Sequence, residues 1–410
     1  MISKSYTLDE LCIFIRNGKS VKQSKDVDGL PITRIETIAN QTIDSDRVGY
    51  AGLTEEESKS HLLECGDILF SHINSLEHLC KTAIYTGFPE KLVHGMNLLC
   101  IRPNLQLIFP QYLLHLLRSS RIRTSLLQFA NKSVNQASIS AGNLKSFVVN
   151  IPPLAEQRRI ASILDQADEL RQKRQQAIEK LDQLLQATFI DMFGDPVSNP
   201  KGFEVKKLSE QVDLIQIGPF GTQLHQEDYI ENGIPLINPS HIKNGKIIPN
   251  HKLTVSQSKY EELTQYHLRL NDVLLGRRGE MGRCAVVTQN EVGWLCGTGS
   301  LFLRPNLEKI NPFFLELLLS SDSIKRYLEN VSQGQTMANL NKTIVGSIPL
   351  ISPSIEIQNK FFLIAEKIDK MKTELKSAKN QVNNLFESLQ NQAFNGTSFE
   401  NLRYKDSYEI

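Results

Sequence analysis

The residues best placed to do chemistry in this 410-residue chain are cations set in glycine-rich or asparagine-rich turns. Gly276-Arg-Arg-Gly-Glu-Met-Gly-Arg283 puts three arginines and three glycines directly after an expected strand, where glycine permits a tight turn and close approach to another backbone. The spacing Gly276, Gly279, Gly282 resembles a phosphate-cradling loop. It lacks the G-x-G opening and the acidic partner of a dinucleotide site, and the chain has no Walker A sequence. From Lys91 to Ala155 no acid occurs, while Lys91, Arg102, Arg118, Arg121, Arg123, Lys132 and Lys145 do. Asn232 to Tyr260 is likewise acid-free and carries Lys243, Lys246, Lys252 and Lys259 with His241 and His251. Cations interleaved with Ser, Asn and Gln suit phosphate contact, and Arg, Asn, Gln and His are side chains that read base edges.

Other chemistries find no constellation. Asn150-Ile-Pro-Pro-Leu154 departs from an amino-methyltransferase signature at Ile151 and Leu154, and reads as a proline-rich helix entry. No H-E-x-x-H occurs among the nine histidines, and His61 with Cys65, or His78 with Cys80, is too thin for zinc. No acid-x-Lys nuclease pattern falls on a duplicated position.

The elements that must hold these residues are written twice. Gly29-Leu-Pro-Ile32 returns as Gly233-Ile-Pro-Leu236, Asp67-Ile-Leu69 as Asp272-Val-Leu274, and Ile101-Arg-Pro-Asn104 as Leu303-Arg-Pro-Asn306. Each Arg-Pro-Asn is followed by an expected apolar helix, Pro110 to Phe129 and Pro312 to Leu328. Ile139-Ser140 and Leu340-Asn341 correspond, and then Pro153-x-x-Glu156 and Pro353-x-x-Glu356 open two long amphipathic helices. A 3,4-spaced seam runs through Ile160, Ile163, Ala167, Leu170, Arg174, Ala177, Leu181, Leu184 and Thr188. A second runs through Phe361, Ile364, Ile368, Met371, Leu375, Ala378, Val382, Leu385 and Leu389, every position 201 residues from its counterpart. Seams of about four heptads argue for coiled-coil packing of two rods, each roughly 55 Å long.

Between the halves, Phe193-Gly-Asp-Pro-Val-Ser-Asn-Pro-Lys-Gly-Phe203 reads as an exposed hinge, and Asn395-Gly396 as a helix stop. Strands are expected at Ile32 to Ile38, Asp67 to Ser71, Thr82 to Tyr85 and Leu98 to Ile101. Their counterparts are Ile234 to Asn238, Asp272 to Gly276, Cys284 to Thr288 and Leu301 to Arg304. The expected fold is α+β: two mixed globular domains joined by two long antiparallel coiled-coil helices, with an internal pseudo-two-fold repeat. The divisions are 1–150 and 204–350 for the domains, 151–193 and 351–395 for the helices, 194–203 for the hinge and 396–410 for a tail.

Overall charge conceals this layout. Lys plus Arg number 46 against 45 Asp plus Glu, so the formal net charge is only +1. Much of the balancing acid falls on the long helices, at Asp165, Asp168, Glu169, Glu179, Asp182, Glu366, Asp369, Glu374 and Glu387. No signal sequence and no run of 18 apolar residues is evident, and the six cysteines lack any C-x-x-C, so a cytoplasmic protein with reduced thiols is expected.

Ile151-Pro-Pro-Leu-Ala-Glu-Gln-Arg-Arg-Ile160, Met192-Phe-Gly-Asp-Pro-Val197, Asn199-Pro-Lys-Gly-Phe203 and Gly66-Asp-Ile-Leu-Phe-Ser-His-Ile-Asn74, with the duplicated architecture, resemble a specificity subunit of a type I restriction-modification system. The second copy departs, with Pro353-Ser-Ile-Glu-Ile-Gln358 for Pro-Pro-Leu-x-Glu-Gln. The resemblance covers essentially the whole chain. It implies two target recognition domains, each reading half of a bipartite asymmetric DNA sequence, and helices that space them and dock two modification (methyltransferase) subunits. Such a chain is not an enzyme. S-adenosylmethionine, ATP and Mg would belong to the modification subunits and to restriction subunits carrying motor and nuclease. Within that frame Arg118, Arg121, Arg123 and Lys132 are candidates for phosphate contact in the first half, with His72 and Asn74 for base reading. In the second half Arg277, Arg278 and Arg283 are the candidates, with Lys243 and Lys246 for phosphate. The alternatives are a coiled-coil scaffold that binds no DNA, or a stand-alone methyltransferase with degenerate motifs.

Overall fold

The computed structural model describes residues 3–24, 27–133, 136–279, 282–332 and 340–394. Glu280 and Met281 of the arginine turn, the Asn395-Gly396 stop and the tail lie outside these. The chain divides into two units, Met1–Gln176 with Lys376–Ile410, and Ala177–Leu375.

In the first unit, Thr7 opens the short helix Leu8–Leu11 with a capping box. Its hydroxyl accepts from Glu10 N at 3.3 Å, and the Glu10 carboxylate accepts from Thr7 N at 2.7 Å. Leu8 and Leu11 thereby enter the core. The central sheet is antiparallel, in the order Cys12–Asn17, Leu99–Pro103, Ile68–Phe70, Thr82–Ile84. The second unit repeats it as Val212–Ile217, Ser300–Pro305, Val273–Gly276, Cys284–Val286. Two further pairings, Lys4–Thr7 with Val148–Ile151 and Val205–Lys207 with Pro349–Ile351, bring the two ends of each globular segment together.

The duplicated motifs are structural joints. Asp67 accepts from Arg102 Nε at 2.8 Å and Nη2 at 2.7 Å, and also from Glu64 N at 2.8 Å. Asp272 does the same with Arg304 Nε and Nη2, both at 2.8 Å, and with Arg269 N at 2.8 Å. A bidentate fork of this kind fixes direction as well as distance. The Gln of the helix entry is a second joint. Gln157 Oε1 accepts from Phe109 N at 2.8 Å, while its Nε2 donates to Leu107 O at 3.0 Å and Pro152 O at 2.9 Å. Gln358 repeats the set with Asn311 N at 2.9 Å, Lys309 O at 3.1 Å and Pro353 O at 2.8 Å. The diverged second copy has kept the atom set that does the work.

Several expectations are corrected. The apolar stretches from Pro110 and Pro312 are each two helices, Pro110–Arg118 with Ser120–Leu127, and Pro312–Ser320 with Asp322–Ser332. The break falls at Ser119 and Ser321, whose hydroxyls donate to Leu116 O and Leu318 O, both at 2.7 Å, with the backbone extended. Ile32 to Ile38 is not a strand. Ile32 makes single bridges to Gly49 and Val93, and Thr37 Oγ1 then accepts from Arg34 N at 2.8 Å, curling the chain into the turn Glu36–Ile38. Its counterpart Ile234–Ile237 is a strand, within a second four-stranded sheet of that unit. The Phe193–Phe203 segment is packed at its start and exposed beyond it: Phe193, Gly194 and Pro196 are buried, with Asp195 Oδ1 accepting from Ser198 N at 2.9 Å, whereas Val197, Ser198, Pro200, Lys201 and Gly202 are exposed.

The long helices are Leu154–Phe193 and Ile355–Phe394. In the first unit Arg171 Nε meets Asn383 Oδ1 at 2.9 Å, and Lys379 Nζ meets Gln175 Oε1 at 2.6 Å, so the two run antiparallel. In the second, Lys372 pairs with Asp182, and Phe189 and Phe193 meet Phe361 at 5.6 and 5.5 Å between ring centres, again antiparallel. Of the expected seam, Ile160, Phe361, Ile368 and Leu389 are buried, and Ile163, Leu181, Ile364, Leu375 and Val382 are half-buried. Leu170, Leu184, Met371 and Leu385 instead face outward, at 43, 51, 51 and 56% exposure. The inward row lies one residue on, through Leu164, Arg171, Ile178 and Leu185, with Ala365, Lys372, Lys379 and Phe386 opposite in kind. Long polar side chains hold inner places there by their stems: the Arg171 guanidinium lies 4.4 Å from the Phe386 ring centre.

Candidate nucleic-acid interface

The acid-free runs do not stay unopposed once folded. Lys91 pairs with Glu55 at 2.8 Å, Arg102 with Asp67, and Lys145 with Asp9 at 3.2 Å; in the second run Lys259 lies between Glu262 at 3.1 Å and Asp228 at 3.5 Å. Arg118 is turned inward, donating to Thr82 O at 2.9 Å and to Gln41 O, so it ties loops together and is poorly placed for a phosphate. Arg121 is exposed at the C-terminal end of the second long helix, 3.4 Å from Phe394 O, where a cation complements the helix dipole.

In each unit the turn after the strand Ile68–Phe70 or Val273–Gly276 collects the remaining candidates. His72 and Arg277 are counterparts there. Ile139 N donates to His72 O at 2.8 Å, and Leu340 N donates to Arg277 O at 3.1 Å. Both side chains are buried, at 6 and 8% exposure. Burial holds the His72 imidazole neutral, its pKa pulled down to about 4, and lowers that of Arg277, whose Nε donates to Leu340 O at 2.7 Å. These two shape the turn from beneath.

What the turn presents differs between the units. In the first, Ile73–Asn74 pairs with Ala137–Ser138, which pairs in turn with Asn131–Lys132. Ala137 is the cross-strand partner of both Asn74 and Lys132, so all three side chains lie on one face of a ribbon. Asn74 is preset by bonds to Ser75 N at 2.8 Å and Ser71 Oγ at 3.3 Å, and Lys132 is exposed. Arg123 Nη2 reaches back to Glu77 O at 2.9 Å and braces the turn.

In the second unit two distant stretches converge. Asn244 and Gly245, both in the left-handed region at φ 50 and 70°, close a two-residue hairpin that sets Lys243 directly opposite Lys246. Like charges opposed across a pair are unfavourable unless an anion offsets them. Arg283, donating to Pro239 O at 3.3 Å, and Lys243 line one cleft of about 420 Å³ with Gly245, Gly282, Glu316 and Lys325. Arg278 is exposed on the same turn. Lys325 and Glu316 were not among the expected residues. Neither belongs to a run or motif, and only the break at Ser321 swings the helix Asp322–Ser332 so that Lys325 reaches the cleft.

The family model for the type I restriction modification DNA specificity domain matches twice, over residues 3–180 and 200–384. A protein of Methanocaldococcus jannaschii, described as the MjaX specificity subunit of a type I restriction enzyme, is 33% identical over 399 residues, 92% of this chain and 91% of its own. The EcoBI specificity subunit of Escherichia coli is 26% identical over 66% of this chain and 63% of its own. Among solved structures, the type I restriction-modification S subunit from M. genitalium superposes with a TM-score of 0.60 at 14% identity, covering 96% of each chain.

Proposed function

Since this chain belongs to the family of type I restriction-modification specificity subunits, a non-catalytic class that gives the complex its DNA sequence specificity, we propose that each unit reads one half of a bipartite, asymmetric target. The observation that carries this is the shared position of the candidates. In both units candidates sit on the turn after the same sheet strand, on a scaffold written twice, yet the groups presented differ: Asn74, with Lys132 on a ribbon strand sharing its face, in one, and Arg278 and Arg283, with the separate Lys243–Lys246 hairpin bringing Lys243 to the same cleft as Arg283, in the other. A duplicated frame carrying different readers suits two different half-sites. Cations contact phosphate and set register, while Asn74 and the arginines supply base-edge groups. Linking two readers raises apparent affinity through effective concentration.

The long helices dock two modification subunits, to which restriction subunits add. Supporting this, the outward apolar row includes Leu170 and Leu385 in the first unit and Leu184 and Met371 in the second. The antiparallel register places Leu170 at the level of Leu385, and Leu184 at that of Met371. S-adenosylmethionine, ATP and Mg belong to those partners, and the complex works in the cytoplasm. Among the described residues no helix is long and apolar enough to cross a membrane.

The test is DNA binding by the chain assembled with its modification partner. The account expects a steep loss of affinity with salt, a slope of roughly 0.9 in log K per neutralised phosphate. It also expects that exchanging residues 1–150 for another reader alters one half-site only. Salt-insensitive or absent binding would favour the scaffold reading, and methyl transfer by the purified chain alone would favour the methyltransferase.

A further inference from the structure

The second unit's cleft contains one group that phosphate contact does not explain. Glu316, on the helix Pro312–Ser320, lines it together with Lys243, Arg283 and Lys325, yet among the described residues its carboxylate has no ion-pair partner. The Cys284 thiol donates to Oε1 at 4.0 Å and, at shorter range, to Glu316 O at 3.3 Å. Burial pushes the Glu316 carboxyl up to about 7, against the pull of Lys325. Two glycines keep the walls close: a Cβ on Gly245 would lie 3.2 Å from Glu316 Oε1, and one on Gly282 would lie 2.4 Å from Lys325 Cγ.

A site for phosphate alone gains nothing from a carboxylate in its wall, which repels the anion. A purely structural acid would close onto Lys325, one helix away, and satisfy its lone pairs there. The arrangement instead offers a carboxylate whose one hydrogen bond among the described residues is the long contact from the Cys284 thiol, in a cleft lined by cations. Its complement is a neutral N–H donor carried beside a phosphate, which is what cytosine N4 or adenine N6 presents in the major groove. The volume of about 420 Å³ falls in the range of small-ligand sites, roughly 300–1,000 Å³.

We propose that Glu316 is a specificity-determining residue that accepts a hydrogen bond from the exocyclic amino group of one cytosine or adenine in the half-site read by the second unit, with Lys243 and Lys325 holding the adjoining phosphates. This rests on the DNA-reading role above. Counting from Pro110 and Pro312, the equivalent residue in the first unit is Leu114, so the contact belongs to one half-site only.

The experiment selects DNA from a random library with the full chain assembled with its modification subunits, comparing the unaltered protein with Glu316→Leu, which removes the acceptor, and Glu316→Asp. The unaltered protein should show a required cytosine or adenine in the second half-site. Glu316→Leu should lose roughly 5- to 150-fold of discrimination at that one position while keeping the first half-site. A base analogue lacking the amino group, placed as a cytosine or an adenine replacement, identifies which base is read. It should weaken the unaltered protein and not the Leu variant. The ionised carboxylate is the stronger acceptor, so affinity of the unaltered protein should fall as pH drops below about 7, and the Leu variant should lack that component. Lys243, Lys325, Arg283 and Cys284 line the same cleft. Glu316→Leu, the residue type at the equivalent position of the first unit, should fold normally, which thermal melting checks. Unchanged preference at every position in a folded Leu variant overturns the proposal. Absence of any sequence preference in the unaltered assembly overturns the DNA-reading role itself.

Discussion

Replacing Gln157 or Gln358 with Ala should be among the most damaging single changes in the helices, although neither residue touches a partner or DNA in the account above. Each side chain is 1% exposed and makes three hydrogen bonds to backbone groups that secure the strand-to-helix joint. In the Ala variants one N–H and two C=O groups lose their partners, at Phe109, Leu107 and Pro152 or at Asn311, Lys309 and Pro353. A buried polar group left unpaired costs about 1–3 kcal/mol. With partial rehydration of the carbonyls next to the helix entry, the loss is about 3–5 kcal/mol per site. Gln→Glu should cost a similar amount, because the carboxylate keeps the acceptor and loses both donors. Urea denaturation followed by fluorescence of the single Trp294, in the second unit, and by circular dichroism for the whole chain, reports both sites. The joints lie in different units, so the two losses should add within about 0.5 kcal/mol. A loss below 1 kcal/mol at either site would show that the duplicated glutamine is not the joint described.

Other outcomes follow from the same structure. Asp272→Asn, breaking a fork whose acid is fully buried, should cost about 3–5 kcal/mol by thermal or urea unfolding. Leu164→Ala should cost about 2–5 kcal/mol, whereas Leu170→Ala should cost about 1 kcal/mol or less, reversing the order that the apolar seam of the sequence implies. Leu170→Glu with Leu385→Glu should leave the chain folded and weaken assembly with the modification subunit in size-exclusion chromatography. The Glu316 carboxyl has a folded pKa raised above its unfolded value, so the folded state binds the extra proton. Its contribution to stability is therefore full below about pH 4.5, is lost as pH rises toward about 7, and is flat above. Glu316→Gln should accordingly raise stability at pH 8 by on the order of 2 kcal/mol and change little at pH 4.

The sequence exposed the duplicated frame because its joints tolerate few substitutes. The Asp67–Arg102 and Asp272–Arg304 forks need those residue types at that separation, and Gln157 and Gln358 need both a donor and an acceptor at one position of the helix. Apolar counting located both rods and part of their packed face, at Ile160, Phe361, Ile368 and Leu389, but missed the rest, since Arg171, Lys372 and Lys379 fill inner positions with their stems while Leu170 and Met371 point outward. Charge counting overstated the cations available, because Asp67, Glu55 and Asp9 enter from outside the acid-free run. The cleft was legible only in part. Lys243 and Arg283 stood in visible clusters, whereas Glu316 and Lys325 are isolated residues that long-range folding brings beside them.

The central claim, two readers on one duplicated frame, is tested most directly by methylome sequencing of the host with and without this chain. The account predicts a split motif, two unlike short half-sites at fixed separation, that is methylated in its presence and lost on deletion. A methylation pattern unchanged by deletion, or loss of a single uninterrupted motif, would contradict it.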